Sequence, residues 1–492
     1  MDERTLVTVA SAAGNGLPLI LSSRTGGIDK ERIMATLTVT NWFGDLSWNP
    51  QAVVEANSVN DIVTVMKNPD RYPAPVRAAG SFHSTAQCDV AEGGTVVKMK
   101  MNRILEIRTD SVTCEAGAIY IDIAEELQKR QLQFYVNTEI GMLTAGAAAC
   151  AGTKDASFPG QLGQVGSYVS GVKMVLPSGD LLEATEERDP ELMRQIRSSY
   201  GLFGIVYEVT YRVRPMTPMA VHHETYKIDD FVAKLPELKA RNEALMYYLF
   251  PFDNMITVEC RRDNPGATGD PDRHVWLLRN YIWSKAGPRF AHDIESTIAV
   301  PAIRYGVIDS FLAMFRFKLE NLVRSDNTIA TDQIIRYPTV SDDSRYTFSL
   351  FAFPEDSYPT VLPAYVKFCQ DYYQRQGYRS NTCNVGYRIA QDQNALLSYS
   401  YDGAVMTIDP VSTGNTGWKP FLTAYNEFSS DHGGSPLLNQ TFGVTHAIAQ
   451  KAFGDRLRQF EEARRKFDPG DRLLNDYFRE VLAGPAPAAQ PG

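Results

Sequence analysis

The chain has 492 residues, which is too long for one ordinary core and enough for two large domains. Its hydrophobic share of 44% and its charged share of 22% are those of an ordinary globular protein. The net charge of −9 leaves no basic surplus to neutralise phosphates, which argues against a nucleic-acid-binding protein.

The cysteines and the chain ends indicate the compartment. The six cysteines form no CxxC pair and no compact set, so the sequence predicts neither a metal site nor a disulfide framework. The first residues lack the basic n-region of a signal peptide, and no run of about 20 apolar residues occurs. We therefore expect a cytoplasmic protein without a membrane segment, with an irregular arm over residues 1–40 and a disordered tail over residues 483–492.

Residues 41–216 alternate strand-like and helical segments. A strand at "QAVVEANS" precedes a helix whose apolar residues recur at helical spacing, at Ile62, Val63, Val65 and Met66. Strands are predicted at "APVRAAG", "GTVVKMK" and "VTCEAGA", and a helix at "YIDIAEELQKRQ". "YVSGVKMVLPSGDLLEAT" predicts a hairpin, "DPELMRQIRSS" a helix and "GIVYEVTYRVRP" a half-exposed strand. This pattern predicts an α+β domain with short turns.

Residues 217–440 differ because aromatic residues become dense, as in "ALMYYLFPF" and "RYTFSLFAFP". We interpret this part as a second domain. Within it, residues 383–410 predict two strands of a hairpin around "AQDQN". The helical segment "IAQKAFGDRLRQFEEARRKF" then begins a C-terminal return over residues 441–482, which ends in "FDPGDRLLNDYF".

The stretch "PVRAAGSFHST" places His83 in a turn of small residues. Uncovered backbone N–H groups in such a turn form a concavity that can bind an anion, and Ser81 and Ser84 could add hydroxyl donors. Neither GxGxxG nor GxxxxGK[ST] occurs in the chain, so a Rossmann or P-loop site finds no support. Taken alone, such a turn favours the interpretation that it is only an ordinary chain reversal.

Several blocks, in order, resemble the flavin-binding domain of the vanillyl-alcohol oxidase family, also called PCMH-type FAD-binding proteins. They are "VRAAGSFHS", "GTVVKMKMNRILEI", "VTCEAGAIYIDIAEEL", "LTAGAAACAGTKDAS", "VSGVKMVLPSGDLLE", "SSYGLFGIVYEVTYRV" and "FDPGDRLLNDYF". The alditol and sugar-lactone oxidase branch is the most similar. The resemblance implies an α+β fold, in which a PCMH-type FAD-binding domain of two subdomains (41–216) is joined by an α+β cap domain (217–440) with an antiparallel sheet.

The resemblance also implies an FAD cofactor. His83 is expected to bond covalently to the 8α-methyl group of the flavin, since a neutral imidazole is nucleophilic; the alternative is that it only packs there. A second, cysteinyl bond found in some relatives aligns with Ile140, so we expect no second link. The implied cofactor-binding residues are Ala79, Gly80, Ser81, Phe82, His83, Ser84, Thr144, Gly146, Ala147, Gly152, Thr153, Ser157, Gly204, Ile205 and Asn475.

The chemistry implied is oxidation of a hydroxyl (or amine) carbon of a small organic substrate. A hydride would pass to flavin N5, and O2 would act as the electron acceptor and yield H2O2. The predicted catalytic residues, all in the cap domain, are Arg388, Tyr387 and His432. For Arg388 the alternative is an ion pair at the cap surface, and for His432 it is a place in an exposed turn.

Two departures from the lactone oxidases argue against a polyol or aldonolactone substrate. The chain reads "PLLNQT" where those enzymes end their cap with His-Trp-Gly-Lys, and Gly386 replaces a carboxylate two residues before the arginine. The aromatic-rich cap favours a more apolar or ring-containing substrate. A dehydrogenase using another electron acceptor remains a possible interpretation, as does a non-covalent flavin synthase or C=C reductase of the same fold.

Overall fold

The computed structural model describes residues 37–337 and 345–483. The predicted arm, apart from residues 37–40, and the predicted tail, apart from Ala483, lie outside the described residues. Helices and strands alternate through the chain, which confirms the predicted α+β class. A short antiparallel pair, β1 (Val39–Thr40) and β2 (Ser47–Trp48), precedes the first domain.

The first subdomain is a three-stranded parallel sheet with one helix: β3 (Ala52–Ala56), α1 (Val59–Lys67), β4 (Val76–Ala79) and β5 (Thr95–Met99). The strand order is β3-β5-β4, and α1 provides the crossover that parallel strands require. Ser58 begins α1 through a capping box with Asp61. Three of the four predicted apolar positions of α1 are buried: Ile62, Val65 and Met66.

The second subdomain is an antiparallel sheet of order β10-β9-β11-β7-β6, with β8 also paired to β11. Its strands are β6 (Ile104–Ile107), β7 (Ser111–Glu115), β8 (Leu132–Phe134), β9 (Val169–Val175), β10 (Leu181–Thr185) and β11 (Ile205–Pro215). Its helices are α2 (Tyr120–Gln128), α3 (Ala145–Cys150) and α4 (Pro190–Ile196). The predicted hairpin is β9–β10, and Gly179 takes the left-handed conformation (φ +84°) in its turn.

The cap domain is built on an eight-stranded antiparallel sheet of order β15-β12-β14-β13-β18-β19-β17-β21. Its strands are β12 (Pro218–Lys227), β13 (Ala244–Phe250), β14 (Met255–Asp263), β15 (Ser325–Ile329), β17 (Phe351–Pro354), β18 (Asn384–Ile389), β19 (Val405–Ile408) and β21 (Ser435–Pro436). A separate pair joins β16 (Thr347–Phe348) to β20 (Val411–Ser412). The boundary predicted at 216/217 falls between β11 and β12.

The two faces of this sheet are covered differently, because successive side chains of a strand point to opposite faces. On one face, Leu245 and Tyr247 pack with three helices: α5 (Ile228–Ala240), α9 (Tyr358–Gln376) and α10 (Trp418–Asp431). On the other face, Met246 and Tyr248 pack with a helical excursion over residues 275–322 and with Phe158 of the first domain. This second face of the cap sheet therefore faces the first domain.

The helical excursion contains three α-helices and one π-helical turn. Their bounds are α6 (Val275–Tyr281), the π-helix (Ile282–Ala286), α7 (Gly287–Thr297) and α8 (Pro301–Leu322). Trp276 and Trp283 are buried inside it, and Phe290 stacks on Phe311 with ring centroids 4.4 Å apart. The excursion is thus a packed unit with an inner side against the sheet.

The predicted hairpin of residues 383–410 forms, but its connection is longer than a turn around "AQDQN". β18 and β19 pair through Arg388 with Met406 and Ile389 with Val405, and residues 390–404 leave the sheet. This loop, the interdomain clasp, hydrogen-bonds to the first domain, since Gln164 Nε2 donates to Ser398 Oγ (2.8 Å) and to Ser400 Oγ (3.0 Å). These contacts account for the length of the connection.

The C-terminal return packs into the core of the first domain. The sequence predicts one helix over residues 448–467, whereas the structure has α11 (His446–Phe453) and α12 (Asp455–Phe467), followed by α13 (Asp476–Ala483). The prediction was wrong because Gly454 adopts φ +54° and ψ −133°, a conformation that stops a helix. Val76 N donates to Arg472 O (2.8 Å), so the return also lies beside β4.

Candidate active site

The turn that follows β4 is held against the segment that precedes α3. A Cβ placed on Gly80 would lie 2.3 Å from Thr144 Oγ1, so only glycine permits this approach. Phe82 adopts the left-handed conformation (φ +57°), which is uncommon for a non-glycine residue and marks a strained turn. Similarly, a Cβ on Gly146 would lie 2.9 Å from the Cβ of Ala116. Small residues therefore bring two backbone stretches together.

Two cavities, of about 550 Å³ and about 140 Å³, adjoin the residues 80–83 and Thr144 from either side. Together they form an elongated cleft between the two subdomains. Eleven of the fifteen predicted cofactor-binding residues line it: Ala79, Gly80, Ser81, Phe82, His83, Ser84, Thr144, Gly146, Ala147, Thr153 and Gly204. The structure thus brings the two glycine-rich stretches into one cleft.

The other four predicted cofactor-binding residues do not line the cleft. Gly152 O accepts from Tyr399 Oη (3.3 Å), and Ser157 Oγ accepts from Ala390 N (2.8 Å), so both join the first domain to the clasp. Ile205, the first residue of β11, is fully buried in the core that α1 and the three-stranded sheet share. Asn475 Nδ2 donates to Gln87 O (2.8 Å) and to Val90 O (2.9 Å) and therefore supports the chain just after the turn.

His83 has the environment of a nucleophilic imidazole. Its ring stacks on Trp42, with centroids 4.9 Å apart and planes inclined by 25°. Burial lowers the pKa of His83 to about 4, so the neutral form prevails at pH 7. Among the described residues, no group is hydrogen-bonded to either of its ring nitrogens, which leaves one of them free to react.

The lining of the smaller cavity fits a cofactor that donates a hydrogen bond. The side-chain oxygen of Asn439 is buried without a hydrogen-bond partner among the described residues, and Asn439 lines this cavity beside the turn. Its own backbone carbonyl accepts from Thr85 N (3.1 Å), which fixes the residue in place. A buried unpaired carbonyl is costly, so it fits a ligand that donates a hydrogen bond there.

Tyr387, a predicted catalytic residue, lies where the cap meets the segment that carries the second cofactor stretch. Its hydroxyl is 3.3 Å from Glu139 Oε2, and its ring is 3.6 Å from the Lys154 ammonium. Glu139 precedes Ile140, which borders a small cavity together with His83, and Lys154 follows Thr153 of the cleft lining. The three side chains form a buried group, the acid–base cluster, which lies behind the lining of these cavities and lines none of them itself.

The members of this cluster are buried, and their charges are paired. Glu139 Oε2 is 3.3 Å from Arg279 Nη2, while Glu139 Oε1 has no hydrogen-bond partner among the described residues. Lys154 Nζ is 3.0 Å from Asp409 Oδ2, and both side chains are less than a tenth exposed. Burial raises the pKa of Glu139 and the pKa of Asp409 above their ordinary values.

A buried ion-pair network beside the cluster joins the cap to the first domain. Arg261 on β14 donates to Asp155 Oδ2 (2.8 Å) and to Asp155 Oδ1 (2.9 Å), which is the planar, bidentate arrangement that arginine favours. Gln333 Nε2 also donates to Asp155 Oδ2 (2.9 Å). Since Asp155 follows Lys154, this network fixes the segment that carries the lysine.

The structure does not bring Arg388 and His432 to the cleft. Arg388 neighbours Tyr387 on β18 and points to the opposite face, where its Nε donates to Glu355 Oε2 (3.0 Å) and Lys239 pairs with the same carboxylate. His432 ends α10, is exposed, and its ring stacks on Phe428. The alternatives of an ion pair and of an exposed turn describe their observed positions.

Sequence reasoning missed Glu139, Lys154, Asp409 and Trp42 as site residues. A signal existed for Lys154, because it is charged and stands in "AGTKDAS" among small residues of the second cofactor stretch. No local signal marks Glu139 or Asp409, which are brought together only by the packing of the cap.

Two family models match the chain. The model described as "FAD binding domain" matches residues 50–185, and the model described as "D-arabinono-1,4-lactone oxidase" matches residues 209–481. The L-gulono-1,4-lactone dehydrogenase of Mycobacterium tuberculosis is 21% identical over 447 residues, which cover 90% of this chain and 98% of that protein. The L-gulonolactone oxidase of Scyliorhinus torazame is 20% identical and covers 90% of this chain and 97% of its own length.

Among solved structures, cholesterol oxidase from B. sterolicum is similar over 95% of this chain and 100% of its own chain. The TM-score is 0.70 at 15% sequence identity, so the likeness concerns the fold. It confirms the predicted architecture of a two-subdomain cofactor domain with a cap built on an antiparallel sheet.

Proposed function

Because the chain belongs to the D-arabinono-1,4-lactone oxidase family and carries an FAD binding domain, we propose that it oxidises a ring-bearing secondary alcohol at the acid–base cluster. The family matches confirm the FAD cofactor and the class, a flavin-linked oxidoreductase acting on a CH–OH group. FAD, when bound, supplies the acceptor for the hydride that leaves the carbon. The observation that carries the proposal is the meeting of Glu139 and Lys154 at Tyr387.

Glu139 is the group that takes the hydroxyl proton. Its Oε1 is buried without a partner among the described residues, whereas Oε2 is held by Tyr387 and Arg279, so one oxygen is oriented and the other is left to pair with a substrate hydroxyl. Because burial raises the pKa of Glu139, its carboxylate is a stronger base than an exposed one. Loss of this proton and of the hydride converts the alcohol to a ketone.

Tyr387 and Lys154 orient the substrate oxygen. The Lys154 ammonium is fixed by Asp409 and by the Tyr387 ring, so it cannot swing away when the substrate enters. Lys154 follows Thr153 of the cleft lining in the sequence, and its positive charge stabilises negative charge that develops on the hydroxyl oxygen. Tyr387 holds Glu139 in place through its hydroxyl group.

We also propose that His83 carries the covalent flavin link. The free nitrogen of the neutral imidazole would hold the flavin through its 8α carbon, a link whose formation is a two-electron oxidation that needs an electron acceptor. The stack on Trp42 holds the ring plane, and burial, which lowers the pKa to about 4, keeps the nucleophile unprotonated. The expected acceptor is O2, which takes two electrons and two protons to give H2O2.

The aromatic side chains near His83 favour a substrate that contains an apolar ring. Tyr346 borders the small cavity of about 10 Å³ next to His83 and also an apolar cavity of about 30 Å³ beneath the helical excursion, so aromatic side chains line both. Trp283, with its ring centroid 5.6 Å from that of Tyr346, lines the same apolar cavity. A sugar lactone is the second candidate, favoured by the names of the relatives.

The compartment we propose is the cytoplasm. All six cysteines are free and buried, as suits a reducing compartment. In the part of the chain that the structure describes, no helix is long and apolar enough to cross a bilayer.

The test is anaerobic bleaching of the flavin by a panel of alcohols that includes apolar cyclic alcohols, L-gulono-1,4-lactone and D-arabinono-1,4-lactone. Glu139→Gln is expected to slow bleaching by about 10²- to 10⁴-fold, the usual contribution of a general base. Glu106→Gln, which alters an exposed carboxylate of β6, should leave the rate unchanged. H2O2 release after admission of air identifies O2 as the acceptor.

Three results would contradict parts of this proposal. Bleaching by the lactones alone would exclude the apolar ring and support the second candidate. An unchanged rate in Glu139→Gln would remove the assigned base. Failure of every alcohol and lactone to bleach the flavin would refute the proposed reaction.

A further inference from the structure

Three side chains of types that bind metal ions lie together on one face of the cap sheet. His222 and Glu224 are two residues apart on β12, so both point to the same face. Cys260 on β14 is the cross-strand partner of His222. One ligand atom of each residue lies within 4.8 Å of those of the other two. The sequence does not predict this group, because only strand pairing brings the cysteine to the other two residues.

The spacing of these atoms is close to that of a tetrahedral zinc site. His222 Nε2 and Glu224 Oε1 are 3.2 Å apart. With Zn–N and Zn–O bonds of about 2.0–2.2 Å and a Zn–S bond of about 2.3 Å, the ligand atoms of a tetrahedral site are about 3.3–3.6 Å apart. His222 and Glu224 are partly exposed, so shifts of about 1 Å in their side chains would bring both to this distance from the sulfur.

Neighbouring groups orient Glu224 and leave one of its oxygens at the site. Tyr226 Oη donates to Glu224 Oε2. Glu224 Oε1 accepts from Arg241 Nη1 (2.5 Å), and Arg241 Nη2 also donates to Glu237 Oε1 (3.0 Å). Arg241 is partly exposed at the end of α5, so it can stay paired with Glu237 when Glu224 Oε1 turns to an ion.

The charges around the sulfur favour a cation. Burial raises the pKa of the Cys260 thiol, and the negative charges of Glu243 and Glu224 raise it further. Glu243 is 8% exposed, and its Oε2 is buried without a hydrogen-bond partner among the described residues. Its Oε1 is 3.7 Å from Nε of the exposed Arg262. A positive ion beside the thiol would offset the cost of burying this unpaired carboxylate oxygen.

We propose that His222, Glu224 and Cys260 bind one Zn²⁺ ion, with water as the fourth ligand on the exposed side of His222. Imidazole and thiolate ligands favour zinc over Mg²⁺ and Ca²⁺, which prefer oxygen. On binding, the thiol proton passes to solvent and a zinc–sulfur bond forms, with no transfer of electrons. None of the three residues lines the cofactor cavities, so the proposal stands independently of the proposed reaction.

The experiment is equilibrium dialysis of the full-length, FAD-loaded protein, without an affinity tag, against Zn²⁺, followed by elemental analysis. We expect one bound ion per chain. His222→Gln should lower the affinity by about 100-fold or more, because even a change in the groups that only orient the ligands costs about 10- to 100-fold. The matched control is His432→Gln, which alters an exposed histidine at the end of α10 and should bind like the wild-type protein.

Cobalt substitution tests the sulfur ligand. Co²⁺ in place of Zn²⁺ should give the visible bands of a tetrahedral ion and a thiolate charge-transfer band, in a difference spectrum against the same protein without metal. Cys260→Ser should lose the charge-transfer band, whereas Cys369→Ser, which alters another buried cysteine of the cap, should keep it. Retained flavin absorbance and a cooperative unfolding transition show that each variant is folded.

The proposal is overturned if the wild-type protein binds no Zn²⁺, or if His222→Gln and His432→Gln bind the ion alike. It is also overturned if the cobalt spectrum is that of an octahedral ion, or if Cys260→Ser keeps the charge-transfer band.

Discussion

The attachment of FAD to His83 is expected to proceed at nearly the same rate from pH 7.5 down to pH 5.5. Only the neutral imidazole is a nucleophile, and the buried environment lowers the pKa of His83 to about 4. With a pKa near 4, most of the His83 side chain stays neutral at pH 5.5. With the ordinary value of 6.5 the neutral share would fall from about 91% at pH 7.5 to about 9%.

The assay incubates folded apoprotein with FAD at each pH and measures flavin fluorescence in the protein band of a denaturing gel. His83→Ala should give no fluorescent band. His432→Ala, which alters an exposed histidine outside the cleft, should label like the wild-type protein. A tenfold fall in rate between pH 7.5 and pH 5.5 would refute the argument from burial, and a labelled His83→Ala would refute the assigned residue.

Three further substitutions test the cleft and its support. Gly80→Ala should reduce flavin content, because the new Cβ would meet Thr144 Oγ1 at 2.3 Å, whereas Gly266→Ala, with open space around it, should not. Asp155→Ala should lower the free energy of unfolding in denaturant by about 3 kcal/mol or more, since it breaks a buried ion pair. Removal of the exposed carboxylate in Asp293→Ala should cost under about 1 kcal/mol. Asn439→Leu should weaken FAD binding in a titration of apoprotein followed by flavin fluorescence, and equal affinity would mean that its carbonyl does not meet the cofactor.

Those parts of the fold that depend on local chemistry could be predicted from the sequence. The apolar spacing of α1 and the turn between β9 and β10 act over a few residues, and both elements form as expected. The glycine-rich stretches were also predictable, because close backbone approach requires residues such as Gly80 and Gly146 wherever it occurs. The clasp was not, since its length is set by hydrogen bonds to a distant domain.

The catalytic side of the site shows the limit of such reasoning more sharply. Tyr387 and Arg388 are neighbours in sequence, yet strand alternation sends one to the cluster and the other to Glu355. Which of the two side chains points toward the first domain depends on strand register, and the sequence does not reveal this register. Glu139 and Asp409 are 270 residues apart and come close only through the packing of the two domains.

The interdomain clasp restricts how the cap can move. The chain leaves the cap sheet after β18, forms hydrogen bonds with the first domain, and returns to the sheet at β19. The cap is therefore held to the first domain through a loop whose two ends are both fixed in the cap sheet. Leu396 N donates to Arg194 O (2.9 Å) and Leu397 N to Ser198 Oγ (3.0 Å), and a hinge motion would break both bonds. We therefore expect substrate to enter the cleft, and product to leave it, when side chains at its mouth rearrange. The rates of entry and exit should be set by these local motions and not by rotation of a whole domain.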